Sequence, residues 1–282
     1  MVDKEAGPTS HDVVARARRR LGTKKVGHSG TLDPGATGVL VLGVGRATRL
    51  LKLLTALPKS YTCEVVLGAE TSTLDDSGAV VATHDMAGVT LAEVRSAAAS
   101  LTGDILQVPP MVSALKVGGR RLHELAREGI EVERAPRPVT VHRFDVAGEV
   151  GPGVFAVAVE CSSGTYVRSL AADLGTALGG GAHVRSLRRT AIGPFEESCA
   201  LPVEEAALRP PVDALVFLDR VEVGVEVGDL VRRGRRLVSS GQEVTFEGAG
   251  PWAVVEAATG DLLAVYRLAG DHAVPDVVLP SG

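Results

Sequence analysis

The sequence predicts an α/β protein with a small β-rich unit at its C-terminal end. Helical and strand-like patterns alternate through residues 1–222 without a fixed period, and no internal repeat is present. Hydrophobic residues make up 45% of the 282 residues, enough for one large core or an ordinary one beside a smaller. From residue 223 onward Val, Gly and Arg fall into short strand-like runs, so residues 223–282 read as a small all-β unit.

The elements follow in order. Thr9 and Ser10 open a capped amphipathic helix through HDVVARARRRLG, with Val13, Val14, Ala17 and Leu21 on its apolar side, ending at Gly22. Val39–Leu42 reads as a short buried strand, and Arg46–Leu57 as a helix closed by Pro58. Tyr61–Leu67 alternates as a strand, and Thr90 caps a helix reaching Ser100. Residues 118–137, rich in Gly, Arg and Glu around a short helix, read as a mobile basic insertion, with Pro136 and Pro138 at its exit. Val154–Cys161 alternates as a strand and turns through Ser162–Gly164 into a helix over Thr165–Leu178, which places Tyr166 and Arg168 at a helix N-terminus. Helical patterns at Val203–Leu208 and Asp213–Leu218 precede the β-rich end.

Composition excludes several classes. Aromatics are 3% of the chain, and Tyr61, Tyr166 and Tyr266 are its only tyrosines. Cys63, Cys161 and Cys199 are widely spaced with no CxxC, which argues against a disulfide framework or a zinc site and for buried structural thiols. No apolar run approaches the roughly 18 residues of a membrane span, and the first residues are charged, so a cytoplasmic chain is expected. The net charge is −4, yet residues 1–52 hold ten Lys or Arg against four Asp or Glu. Further basic clusters lie at Arg185, Arg188 and Arg189 and at Arg232–Arg236, each read by itself as a solvated face.

The densest motif is GHSGTLDPGATG, residues 27–38, where four glycines and a proline set Asp33 at a tight turn. Taken alone, Asp33 reads as turn punctuation, Tyr61 as cover for a strand face and Arg168 as half of a surface ion pair. Gly43 and Gly45 follow a strand, but Thr48 stands where a dinucleotide fingerprint needs glycine, and no GxxxxGK[ST] loop exists. A paired-carboxylate enzyme would need Asp75, Asp76 or Asp173 beside Asp33, which spacing does not decide.

Six segments, DKEAGPTSHDVV, GHSGTLDPGATGVL, KSYTCEVVLG, QVPPMVSALKVGGRRLHELAREG, SSGTYVRSLAADLG and GAHVRSLRRTAIGPF, resemble in wording and order the bacterial TruB family of tRNA pseudouridine synthases. They span residues 3–195. The family usually has proline where this chain has Glu5, and aromatics where it has Val112 and His123. The resemblance implies a catalytic domain over 1–222 on a mixed, largely antiparallel sheet, and a PUA-like RNA-binding domain over 223–282. It implies a monomer that acts without metal or cofactor on uridine 55 in the T arm of tRNA.

By the same resemblance Asp33 is the nucleophile, attacking either uracil or ribose carbon. Tyr61 stacks on the flipped base and assists loss of the C5 proton, and Arg168 holds Asp33 in place and ionised. Tyr166 and Leu187 pack the pocket, and His28 fills the space the flipped base leaves. Arg19, Lys24 and Lys25, on and after the basic helix, contact phosphates, which lets a net-negative protein bind RNA. Lys116 and the mobile insertion over 118–137 together grip the RNA. A non-catalytic RNA-binding or tRNA-folding protein, in which Asp33 is only a turn, is the competing class, and a carboxylate enzyme on a small molecule the third.

Overall fold

The computed structural model describes residues 1–113, 115–238 and 244–279, without the side chains of Lys116, Arg121, His123 and Arg127. Its main sheet has eight strands: β1 (Val2–Lys4), β2 (Thr37–Leu40), β3 (Lys59–Leu67), β4 (Gly103–Gln107), β5 (Arg137–Gly151), β6 (Val154–Cys161), β7 (Ala182–Ile192) and β8 (Phe195–Glu196). They lie in the order β1–β2–β7–β3–β6–β5–β4, with β8 on β7. Only β2 and β7 pair in parallel, so the sheet is mixed and largely antiparallel.

Helix α1 (Ser10–Leu21) starts as its sequence dictates: Thr9 and Asp12 cap each other reciprocally, and Gly22 ends it in a left-handed conformation. Val13, Val14 and Ala17 bury against Val2, Val26 and Leu40. The stretch Arg46–Leu57 is not one helix. It begins as a 3-10 turn over Gly45–Leu50, where the Thr48 hydroxyl bonds back to the Gly45 carbonyl, and becomes α2 (Leu51–Ala56). Val39–Leu42 likewise divides: β2 stops at Leu40, and Leu42–Val44 leaves the main sheet to pair with Val26–His28.

Helix α3 (Leu91–Ser100) carries a Thr90–Glu93 capping box, α4 (Leu122–Arg127) is the short helix of the insertion, and α5 is Val167–Ala177. Val94 and Ala98 of α3 and Leu170, Ala171 and Leu174 of α5 pack on Val65, Phe155, Val157 and Val159 of the sheet, forming the main core. Val203–Leu208 forms turns rather than a helix, since Pro210 and Pro211 follow closely and Leu208 is exposed. Asp213–Leu218 overlaps a 3-10 turn at Pro211–Leu215.

A second sheet combines β9 (Asp219–Val223), β10 (Leu237–Val238), β11 (Trp252–Glu256), β12 (Leu262–Ala269) and β13 (His272–Val278) in the order β9–β11–β12–β13–β10. Trp252 and Tyr266 are wholly buried in its core. The C-terminal region is β-rich but not all-β: α6 (Val225–Arg232) buries Val227 and Val231 on the sheet, an amphipathic pattern masked by flanking valines and arginines. Of the thiols, Cys63 and Cys161 are buried as expected and pushed up to about 12 and about 11 by burial, while Cys199 is exposed.

Candidate active site

The Asp33 loop is held from both sides by buried cations. Lys4 at the end of β1 donates to the carbonyls of Pro34 (3.0 Å) and Ala36 (2.6 Å). Arg189 of β7 donates to the carbonyls of Gly30 (3.2 Å), Thr31 (3.4 Å) and Val39 (2.8 Å). Ser10, the first residue of α1, closes the loop by accepting from the Leu32 amide and donating to its carbonyl. Gly38 is required by close approach: a Cβ there would lie 2.2 Å from the Arg189 carbonyl oxygen, and its φ is +103°.

Arg168 stands in the first turn of α5 with its side chain 5% exposed, and its guanidinium lies 2.9 Å from the Asp33 carboxylate. It also lies 3.6 Å from Asp75 and donates to the Thr73 and Val112 carbonyls at 2.7 and 2.8 Å. Five guanidinium N–H donors suit this fourfold engagement. Asp33 is 37% exposed, so the pair has one buried end and one end open to a ligand.

A cavity of about 270 Å³ opens over this pair, lined by Asp33, Tyr61, Tyr166, Arg168, Leu187 and Arg189 among others. That is slightly below the roughly 300–1,000 Å³ of drug-sized ligand sites and suits a single small ring. Tyr61 on β3 is half-buried; burial pushes its phenol up, while the Arg189 guanidinium beside it pulls the other way. Tyr166 is fixed at the N-cap of α5, since buried Gln107 accepts from its amide at 2.8 Å and donates to its carbonyl at 3.1 Å. Its hydroxyl meets Ser113, and burial raises its pKa. Lys59, buried at the pocket edge, donates to the Thr55 and Leu57 carbonyls and is pushed down to about 8 by burial and then by Arg189.

The structure thus brings Asp33, Tyr61, Arg168, Tyr166 and Leu187 together. His28 stands outside the pocket wall, where its Nδ1 accepts from the Gly30 amide at 3.3 Å and its ring meets His11 edge-on at 5.4 Å. Burial first, then His11, pushes His28 below its ordinary pKa. The outer face of α1 is less free than its sequence suggests. Arg16 pairs with Glu5 at 2.6 Å, Arg18 donates to the Val26 carbonyl, and Arg20 donates to the Val203 and Ala206 carbonyls. Arg19, Lys24 and Lys25 are exposed and form no ion pair among the described residues. Lys116 lies on a short strand with its side chain outside the described residues.

Lys4 and Gln107 carry no signal in the sequence, and Asp75, which spacing left open as a second carboxylate, faces Arg168 at 3.6 Å. Arg189 was one of a basic trio read as a solvated face. Its neighbours Arg185 and Arg188 do pair with Glu64, Asp3 and Glu197 at or near the surface, but Arg189 alternates inward and is 1% exposed. Strict alternation would place Arg185 and Arg189 on one face; the register shift between Val184 and Ser186 breaks it, so only the packing separates them. Among the described residues no cluster of His, Cys, Asp or Glu is placed to hold a metal, and no helix is long and apolar enough to cross a membrane.

Residues 18–167 match the TruB family pseudouridylate synthase N-terminal domain, and residues 168–208 the tRNA pseudouridylate synthase B C-terminal domain. The chain belongs to the TruB family. It is 50% identical to the tRNA pseudouridine synthase B of Rhodococcus jostii, with 89% of this chain and 86% of that protein covered. It is 46% identical to that of an Arthrobacter species, with 99% and 95% covered. A solved Cbf5–Nop10–Gar1 complex holds a chain similar in fold, with a TM-score of 0.74 at 25% identity, covering 99% of this chain and 84% of that one.

Proposed function

We infer that this protein is an isomerase that converts uridine to pseudouridine in tRNA. The observation that carries the reading is the 2.9 Å pairing of buried Arg168 with half-exposed Asp33 in the pocket that Tyr61 lines. Family membership and the relatives named tRNA pseudouridine synthase B support it. The N1–C1′ bond of the nucleotide breaks, a C5–C1′ bond forms, the C5 proton leaves and N1 gains one, so atoms balance without an added reactant. Uridine 55 in the T arm is the proposed target.

Each group has a task that its surroundings suit. Arg168 keeps Asp33 aimed, and Asp33 makes the nucleophilic attack on an electrophilic carbon of the nucleotide. Extruding a base costs a few kcal/mol, which stacking on Tyr61 offsets by about 1–3 kcal/mol. Leu187 and Tyr166 close the ring pocket. His28, next to the loop yet off the pocket, is proposed to fill the gap in the RNA stack. Arg19, Lys24 and Lys25 are proposed to take phosphates, and Lys116 with residues 118–137 to grip the RNA.

The five-stranded sheet and α6 are proposed as a PUA-like RNA-binding domain, which takes in β9 from Asp219 and so begins a few residues before the expected boundary at 222, in a monomer that works in the cytoplasm. A non-catalytic RNA binder has no use for a guanidinium buried against two carboxylates, which disfavours that alternative. Mass-spectrometric mapping of pseudouridine in unmodified tRNA treated with the purified protein tests the reading. A single new pseudouridine at position 55 is expected; unmodified tRNA after prolonged incubation refutes it.

A further inference from the structure

Two arginines are buried among the described residues, and they are used differently. Arg168 sets its charge against two carboxylates. Arg189 pairs with none among the described residues and relies on three carbonyls, two of them from the loop that bears Asp33. A buried cation without a counter-ion is costly, and carbonyl dipoles offset only part of that cost. Pinning a loop needs hydrogen bonds but no charge, so the charge calls for a further explanation.

The explanation lies across the sheet. Arg189 on β7 is the register partner of Tyr61 on β3, and both side chains line the same pocket. Facing the same pocket, the guanidinium's charge and N–H groups favour an electron-rich phenol oxygen on Tyr61. The backbone of Arg189 has no slack, because β2 approaches so closely at Gly38 that a Cβ is excluded. One rigidly seated guanidinium therefore holds the loop of the nucleophile and shares a pocket wall with the phenol.

We propose that Arg189 is a positioning residue for the uracil chemistry, fixing the Tyr61 hydroxyl relative to the Asp33 loop so that nucleophile and phenol act on the ring from a set geometry. The proposal rests on the functional reading above and assigns Arg189 no contact with RNA. It predicts that the effect of Arg189 passes largely through the Tyr61 hydroxyl.

The test uses the full chain with Arg189→Lys and Arg189→Gln, each alone and combined with Tyr61→Phe. Thermal melting, tRNA affinity and single-turnover tritium release from C5-labelled uridine in tRNA are measured. The expected result is a cooperative melt, affinity within about threefold of wild type, and release slowed about 100-fold. In the Tyr61→Phe background the added loss should shrink below about tenfold, the signature of coupled residues. Ultraviolet difference titration, wild type against Tyr61→Phe, reports the Tyr61 phenol, which should ionise at higher pH in Arg189→Gln.

Release within about threefold of wild type, or equal losses in both backgrounds, overturns the proposal. Failure of both variants to melt cooperatively also overturns it, by making Arg189 part of the scaffold alone. If wild type itself forms no pseudouridine, the functional reading fails instead; an active wild type with indifferent Arg189 variants fails only this inference.

Discussion

The Arg168 guanidinium lies 2.9 Å from Asp33 and 3.6 Å from Asp75, so two carboxylates from distant loops share one buried cation. This arrangement explains how a carboxylate on a glycine-rich turn keeps one orientation: Arg168 is held at the start of α5 and further tied to the Thr73 and Val112 carbonyls. Replacing Arg168 with Met should cost about 2–4 kcal/mol, less than a fully buried pair because Asp33 is partly exposed. Urea unfolding measures it, and turnover should fall more steeply than stability accounts for.

Asp75→Asn separates aim from charge. Arg168 keeps Asp33 but loses its second carboxylate, so turnover should drop by about 10- to 100-fold while tRNA affinity stays within about threefold. Single-turnover kinetics beside equilibrium binding reads both. Equal losses in the two measurements would show that Asp75 contributes to RNA binding.

Gly38→Ala tests the close approach of β2 to β7. Its Cβ would lie 2.2 Å from the Arg189 carbonyl oxygen, at a φ that L side chains rarely adopt. A loss of about 2–4 kcal/mol is expected from strain and displaced strands, measured by thermal or urea unfolding.

How much of this was legible in sequence follows from the kind of constraint involved. The capping boxes of α1 and α3, the strand β6 and the helix turn carrying Tyr166 and Arg168 are local, and the chain states them directly. Asp33, Tyr61 and Arg168 were found by their motifs, and their meeting is a property of sheet order that no local pattern contains. Asp75 stood beside Asp76 and Asp173 as an undecided candidate, because a turn carboxylate looks the same whether or not a buried arginine faces it. Lys4 and Arg189 were misread or passed over because charged residues are expected outside, and only the packing shows which ones the loop carbonyls have drawn in.

Acid should expose the state of His28. Its pKa is pushed down, chiefly by burial and then by His11, and its Nδ1 must stay unprotonated to accept from the Gly30 amide. The unfolded chain then takes the proton first, near pH 6.5, so the stability tied to neutral His28 is complete above that pH and is lost as pH falls. The melting temperature of wild type should therefore drop more between pH 7.5 and 5.5 than that of His28→Gln. Parallel curves would show that His28 takes up its proton without penalty.

RNA affinity should be salt-dependent despite the net charge of −4, since the exposed cations Arg19, Lys24 and Lys25 lie together at one end of α1. Converting the three to Ala should weaken tRNA binding and lower the slope of log K against log salt by roughly 0.7–0.9 per phosphate contact removed. An unchanged slope would place the phosphates elsewhere.

The central claim, that Asp33 is the nucleophile rather than a turn residue, is tested most directly by tritium release from C5-labelled uridine in tRNA with Asp33→Asn. Asparagine keeps the size and the turn but removes the charge that Arg168 holds. The account predicts release slowed on the order of 10⁴-fold or more, with tRNA binding retained. Release at the wild-type rate would contradict it.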